Sequence, residues 1–71
     1  MTPAQRSAVA EAIATELEEM LDPLRDLVTD ARDSHLHAAE ARLLRMLSCA
    51  KTTAHGARIQ AAKMRSAASA A

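Results

Sequence analysis

Apolar residues in the first half of the chain recur at alternating intervals of three and four positions, the spacing of a coiled-coil seam. The members of this seam are Ala10, Ile13, Leu17, Met20, Leu24, Leu27 and Ala31. A second apolar line, formed by Ala14, Leu21 and Val28, lies beside it. The resulting stripe is about three positions in seven wide. This pattern predicts an amphipathic helix that is covered by more than one neighbour.

The second half of the chain has an apolar line of its own with the same spacing. Its members are Leu36, Glu40, Leu43, Leu47, Ala50, Ala54, Ala57, Ala61, Met64 and Ala68. Glu40 is the only charged residue in this line. Two interpretations of Glu40 stay open: a carboxylate is favoured near the N-terminus of a helix, and a polar residue in a seam can fix register or oligomeric state.

The two lines are out of phase, which predicts a turn between two helices. Extending the first line beyond Ala31 would place Arg45 among the core positions. The polar stretch at positions 29–35 falls at the change of phase, and Asp33 and Ser34 are favourable N-cap residues for a new helix. Because short connections join antiparallel helices, the expected fold is an all-α, antiparallel two-helix hairpin. The competing structure is one long helix that dimerises along a shifting face.

The expected single domain spans residues 1–71, with a first helix over about 4–31, a turn over about 32–35, a second helix over about 35–66 and a frayed tail over 67–71. Pro23 lies inside the first helix, where a proline removes one hydrogen bond and costs about 3 kcal/mol. The apolar spacing continues across Pro23, which favours a kink near position 23. A full break there would give a three-helix chain instead.

A hairpin folded at positions 33–34 also predicts which residues face each other. Leu24 should lie near Leu43, and Arg58 near Glu11. The interior should be rich in Leu and Met beside the turn and rich in Ala at the open end. The two helices are therefore expected to approach each other most closely at the open end.

The composition narrows the class of protein. Phe, Tyr and Trp are absent, which removes the side chains that most often anchor ligand pockets and stack on nucleic-acid bases. Cys49 is the only cysteine, so no intrachain disulfide stabilises this small chain. Gly56, the only glycine, either permits a close helix–helix approach or merely weakens its helix by about 1 kcal/mol. A small chain without a disulfide is expected to gain stability from a partner.

Location is inferred from the apolar runs and from the cysteine content. The start of the chain lacks the basic and apolar regions of a secretory signal. The apolar runs are far shorter than the roughly 20 residues needed to span a bilayer, so no membrane contact is expected. A lone cysteine suits a reducing compartment, and the Ala- and Arg-rich composition is typical of GC-rich bacteria. We therefore expect a cytoplasmic bacterial protein.

Charge is divided unevenly between the two halves of the chain. Residues 1–33 carry three basic and eight acidic residues, a net charge of −5, and residues 34–71 carry six basic and one acidic residue, a net charge of +5. This complementarity favours packing of one helix against the other. Clustered positive charge can also bind phosphates, so a nucleic-acid-associated protein is the alternative function. Its candidate basic edge comprises Arg42, Arg45, Lys51, Arg58 and Arg65.

The residues that could carry chemistry do not form a site in the sequence. His35 and His37 are two positions apart and would face different sides of a helix. Cys49 and His55 are six positions apart and do not share a face either. No glycine-rich turn is present to form an oxyanion hole. We therefore expect no catalytic activity, no metal, no cofactor and no small-molecule substrate.

The apolar stripes are wider than two paired helices can cover, so surplus apolar surface should be buried elsewhere. Partner contact is expected at Leu21, Val28, Leu44, Met46 and Ile59. The methionines add an adaptable surface that suits helix binding. The predicted function is non-catalytic protein–protein interaction, either self-association or binding of another protein. Alternatively, side chains that lean across the hairpin cover most of this area.

Two heptad-patterned helices and a short turn resemble, in layout, the small helical-hairpin co-chaperones of bacterial type III secretion. The resemblance extends over the whole chain and includes no shared residue motif. Those proteins mask a needle subunit together with a second chaperone. The resemblance implies an adaptor-like or chaperone-like role, an outline that other small helical adaptors and phage-encoded binders share.

Overall fold

The structure is a computed structural model that describes the backbone of residues 1–70 and the side chains of residues 1–69. Its helices are α1 (Pro3–Glu19), α2 (Leu21–Asp33) and α3 (His37–Ala70). Both α1 and α2 pack against α3, and the described backbone contains no strand. We call α1 and α2 together the first arm and α3 the second arm. The expected all-α chain, with helical arms joined by a bend, is confirmed.

The start of α1 is fixed by a capping box. The Thr2 hydroxyl accepts a hydrogen bond from the Gln5 N–H at 3.2 Å, and the Gln5 side chain accepts one from the Thr2 N–H at 2.8 Å. These two bonds satisfy N–H groups that have no partner inside the helix. Pro3 occupies the first turn, where its missing N–H costs nothing.

The first arm bends where α1 meets α2. Met20 separates the two helices and keeps helical dihedral angles, φ −80° and ψ −15°. Its N–H bonds to the carbonyl of Leu17 at 3.1 Å, and its carbonyl accepts from the N–H of Leu24 at 3.0 Å. Pro23 has no N–H to donate to the carbonyl of Glu19, and its ring crowds that turn. The interruption therefore lies just before Pro23 and bends the arm without reversing the chain.

The connection between the arms is a Schellman-type cap at the end of α2. The N–H of Leu36 bonds to the carbonyl of Ala31 at 2.8 Å, and the N–H of His35 bonds to the carbonyl of Arg32 at 3.1 Å. These are the two bonds that define the motif. His35 has φ 59°, the left-handed conformation that glycine usually supplies. The turn thus forms through local backbone bonds although the segment contains no glycine.

The turn lies slightly later than the sequence predicted. It occupies positions 34–36, between α2 and α3, whereas the expected turn covered 32–35. Asp33 is the last residue of α2 and Ser34 is its C-cap, so the expectation that Asp33 or Ser34 is the N-cap of the second helix was wrong. The first bond of that helix runs from the Glu40 N–H to the Leu36 carbonyl at 2.9 Å.

The second arm is longer than expected. Residues 67–70, for which we expected fraying, continue α3, and Ala71 lies outside the described residues. Ala has the highest helix propensity of all residues, which favours continuation of the helix. Ala68 and Ser69 also lie beside Ala4 and Ser7 of α1, with which they line a shallow depression.

The arms pack along a seam that differs from the predicted one on the first arm. Its buried or partly buried members there are Ser7, Ala10, Ala14, Leu17, Leu21, Leu24, Val28 and Ala31. The line at 14, 21 and 28 therefore faces α3. The predicted seam residues Ile13, Met20 and Leu27 are 47–49% exposed. On α3 the predicted line is confirmed over positions 40–64, where its members are buried or partly buried.

Small side chains explain the choice of seam at the open end. Ala14 and Ala61 are both fully buried, at 0% exposure. The Ser7 hydroxyl is also buried and donates to the carbonyl of Ala61 at 3.0 Å. A bond from such a short side chain to the backbone of the other arm requires the helices to lie close together. Ile13 at the position of Ala14 would hold them apart.

The larger apolar side chains form the core nearer the turn. Leu24, Leu47 and Ala50 are its buried members. Leu17, Leu21 and Leu43 pack against them and are partly exposed. No large side chain among the described residues is fully buried, so the hairpin has a thin interior.

Candidate interaction surface

The hairpin is a layer of two arms and therefore has two broad faces. Residues seven positions apart in a seam-forming helix lie on the same edge of that helix. Glu11 and Glu18 mark one edge of the first arm, and Arg58 and Arg65 mark the matching edge of α3. We call this side the ionic face. The other side contains Ile13, Met20 and Leu27 of the first arm, with Met46 and Thr53 of α3, and we call it the apolar face.

Ion pairs connect the two arms across the ionic face. Arg58 donates to both carboxylate oxygens of Glu18 and also to the hydroxyl of Thr15 at 3.4 Å. Arg65 pairs with Glu11 at 2.8 Å. The hydrogen bond from Arg58 lowers the pKa of Glu18 from its usual value of 4.5. In turn, the hydrogen bond to Glu18 raises the pKa of Arg58.

These pairs correct the predicted register. Arg58 was expected near Glu11 and instead meets Glu18, while Arg65 takes Glu11. The centre of the turn lies near His35 rather than at positions 33–34. The residue opposite Arg58 differs from the predicted one by seven positions, about two helical turns. Moving the centre of a hairpin by one residue moves the residue opposite by two, so the later turn accounts for about three of these positions.

Glu40 also has a partner on the first arm. Its carboxylate accepts from the side chain of Arg32 at 3.0 Å, and the Glu40 side chain is only 20% exposed. Glu40 lies in the first turn of α3 and Arg32 in the last turn of α2. Both charges are favourably placed for the dipole of their own helix. This pair links the two sides of the turn, and sequence reasoning missed Arg32.

The apolar face has large side chains that the described residues cover only by about half. Val9, Ile13, Met20 and Leu27 of the first arm are each 46–49% exposed, and Met46 of α3 is 52% exposed. An open groove of about 570 Å³ lies among Val9, Ile13, Leu17 and Thr53. Side chains of this size are usually more deeply buried when they belong to a helix seam. The face therefore carries a row of large apolar side chains along the first arm, and the exposed Glu16 also lines its groove.

The five predicted partner residues lie at different places in the hairpin. Val28 is buried in the seam at 5% exposure, and Leu21 packs against the core. Met46 lies on the apolar face. Leu44 lies on the edge of α3 that belongs to the ionic face, because it precedes Arg58 by two heptads, and Ile59 points away from the first arm. The structure thus does not bring these five together as one surface.

Sequence reasoning missed the first-arm residues of the apolar face because it assigned them to the seam. Two lines were visible: the line through Ile13 has the alternating spacing of three and four, and the line through Ala14 recurs every seven positions. A signal that distinguishes them is the pair of acids Glu11 and Glu18, seven positions apart like Arg58 and Arg65. Pairing these four residues requires the line at Ala14 to face α3. Ile13, Met20 and Leu27, which belong to the other line, are then left on the apolar face.

The predicted basic edge is likewise divided. Arg58 and Arg65 are engaged by carboxylates of the first arm. Lys51 shares their edge of α3, whereas Arg42 and Arg45 occupy two other sides of the helix by their spacing. The structure does not gather the five basic residues into one continuous row.

The candidate chemical residues are also dispersed. His35 and His37 lie at the turn with ring centroids 6.2 Å apart in an edge-to-face arrangement. Cys49 is an exposed thiol on α3. Within residues 1–70, no group of three or more His, Cys, Asp or Glu residues is arranged to hold a metal ion.

Gly56 has open space around it. A Cβ atom built at this position meets nothing within 4 Å. The expectation that Gly56 permits a close approach of the two arms is therefore not supported by contacts inside the chain. Gly56 is three positions after Thr53, and so borders the apolar face.

Comparison of the chain with protein-family models, with curated proteins and with solved structures gives no match. Among the described helices, none has a stretch long and apolar enough to cross a membrane.

Proposed function

We propose that this chain is a small, non-catalytic helical interaction module whose apolar face binds another polypeptide, either a second copy of the chain or a different protein. The observation that carries the proposal is the asymmetry of the two faces. Ion pairs join the arms across one face, whereas the other exposes about half of each of four large side chains on the first arm. A role as an adaptor or chaperone-like protein is consistent with such a surface.

The thin interior supports the same proposal. The buried core consists mainly of alanines, with Leu24, Val28 and Leu47 as its larger members. Burial of apolar area contributes roughly 25 cal/mol per Å², so a core of small side chains contributes little. Covering the apolar face with another chain would add the burial that the hairpin lacks.

A nucleic-acid role for the basic edge receives no comparable support. Arg58 and Arg65 are paired with carboxylates, and phosphate binding would have to replace those pairs. Binding of the chain to random duplex DNA at low salt would revive this alternative.

The proposal is tested with a variant that makes two side chains of the apolar face polar, and with a control that makes two similarly exposed side chains elsewhere polar. The variant Ile13→Gln with Met20→Gln alters two residues that are each 47% exposed. The matched control is Leu44→Gln with Ile59→Gln, which alters residues of 43% and 42% exposure away from that face. Each chain is immobilised and incubated with the soluble chain itself and with extract from the cells that produce it.

The expected result is that the unaltered chain and the control retain the same polypeptide. The face variant should retain at least tenfold less of it, because buried glutamine side chains disfavour the contact. Circular dichroism checks that all three chains are equally helical. Equal retention by the face variant and the control would contradict the proposal.

A further inference from the structure

We infer that the polypeptide on the apolar face is a second copy of this chain, and that the two hairpins stack face to face as a four-helix bundle. The twofold axis runs parallel to the helices, so that both turns lie at the same end. The first arm of each copy then lies against α3 of the other. This inference rests on the proposed function and names the partner and its orientation.

The shape of the hairpin indicates how much surface needs covering. Its dimensions are 55 × 15 × 14 Å and its radius of gyration is 16.1 Å, compared with about 11 Å for a compact domain of this length. Its accessible surface is 5108 Å², whereas a compact monomer of its mass should expose about 4,300 Å². The excess is about 800 Å², close to the area that each partner buries in a standard-size interface. A second hairpin of the same length offers a face of matching size.

The middle of the apolar face is complementary to itself in side-chain size. The first arm contributes the bulky row of Val9, Ile13, Met20 and Leu27. By heptad spacing, the corresponding side of α3 carries the small residues Ala39, Cys49, Thr53 and Gly56 and the larger residues Arg42, Met46, Gln60 and Lys63. The small residues are concentrated in its middle, at positions 49–56. When the first arm of one copy lies on α3 of the other, the middle of each bulky row meets this small stretch of the partner. Gly56, which has open space inside its own chain, then faces the partner's bulky row.

Charge selects between the two ways of stacking. A twofold axis parallel to the helices puts a first arm beside the partner's α3, and these segments belong to chain halves of net charge −5 and +5. An axis across the helices would instead put the two first arms side by side, and the two α3 helices side by side. Segments of like net charge would then lie next to each other, which is unfavourable. The parallel axis is therefore the favoured arrangement.

Disulfide trapping in a mixture of two variants tests this arrangement. Both variants carry Cys49→Ser to remove the native thiol. One adds Glu16→Cys on the first arm, beside Ile13 and Met20. The other adds Gly56→Cys on α3 and a short tag that makes its mass distinct. Both positions are exposed, and each variant has only one thiol, so every disulfide must join two chains.

The two variants are mixed, allowed to exchange, oxidised and separated without reductant. The expected product is the mixed dimer that joins Glu16→Cys to Gly56→Cys, in at least fivefold excess over either self-linked dimer. Predominance of the two self-linked dimers would overturn the arrangement, since each arm would then lie beside its own copy. That result would leave the proposed function intact.

Sedimentation equilibrium on the chain without substitutions completes the test. A helical monomer at every concentration would overturn the inference of self-association. The binding experiment with cell extract then decides the proposed function separately, because a different protein that depends on Ile13 and Met20 would still support it. A monomer that also retains nothing from the extract would contradict both.

Discussion

At the scale of single residues, a few residues either adopt an unusual backbone conformation or join the two arms through ion pairs. His35 adopts φ 59° so that the cap of α2 can form. A residue with a Cβ atom is strained in this left-handed region by roughly 1–2 kcal/mol. Glu18 and Glu40 form ion pairs with arginines of the other arm. Two of these residues give direct predictions.

Replacing His35 by glycine should stabilise the hairpin. The substitution His35→Gly removes the strain of the left-handed conformation and should raise the free energy of unfolding by about 1 kcal/mol. The matched control, His37→Gly, places glycine in the first turn of α3 and should not stabilise the chain. Urea unfolding followed by circular dichroism measures both. A decrease in stability for His35→Gly would contradict the cap geometry.

The Glu18–Arg58 pair should make stability depend on pH. Because the pair lowers the pKa of Glu18, its contribution is fully present above the usual pKa near 4.5. The contribution is lost as the pH falls through the lowered pKa, where the carboxylate gains a proton. Both groups are exposed, so the effect should be small and should weaken with added salt.

The measurement is the unfolding temperature from neutral to acid pH for the unaltered chain and for Glu18→Gln. The glutamine variant should lose less stability on acidification. Glu19→Gln, an exposed neighbour for which the structure shows no ion pair, serves as the control. Identical acid profiles for the unaltered chain and Glu18→Gln would contradict the role of the pair.

At the scale of helices, packing at the open end depends on small side chains. Ala61 has 0% exposure and its carbonyl accepts from the Ser7 hydroxyl. The substitution Ala61→Leu should lower the free energy of unfolding by about 1–3 kcal/mol, because extra methylenes do not fit a close-packed site. Ala62→Leu, at an exposed neighbouring position, should be nearly neutral. Equal thermal stability of the two variants would contradict the close approach of the arms.

Much of the helical architecture follows from local rules. The heptad spacing and the change of phase near Ala31 predict two helical arms and a bend, and the bend at Pro23 follows from the missing N–H. The line of α3 from 40 to 64 was also predicted correctly. These features depend on residues close together in the chain.

The register and the orientation of the first arm could not be predicted in the same way. Ile13 and Ala14 each belong to an apolar line that repeats every seven positions, and only contacts with α3 decide which line faces the seam. The left-handed His35 moved the turn, since nothing in the local sequence marks a histidine for that conformation. A small error at the turn is doubled along the arms, and together with the wrong choice of seam it led to the pairing of Arg58 with the wrong glutamate. The apolar face was missed because Ile13, Met20 and Leu27 were assigned to the seam.

At the scale of the whole molecule, the hairpin is a narrow layer with one ionic and one apolar face. Exposure of Ile13, Met20 and Leu27 along one side is costly for an isolated chain, because large continuous apolar surfaces promote association. Two hairpins stacked on these faces would bury both rows and satisfy the charge division between the halves of the chain. The central claim is therefore that the folded hairpin associates through its apolar face.

Sedimentation equilibrium over the micromolar range tests this claim most directly. The account predicts a species of twice the 7.6 kDa chain mass for the unaltered chain and for the control Leu44→Gln with Ile59→Gln. It predicts the single-chain mass for Ile13→Gln with Met20→Gln. A fully helical unaltered chain that stays at 7.6 kDa at every concentration would contradict the account.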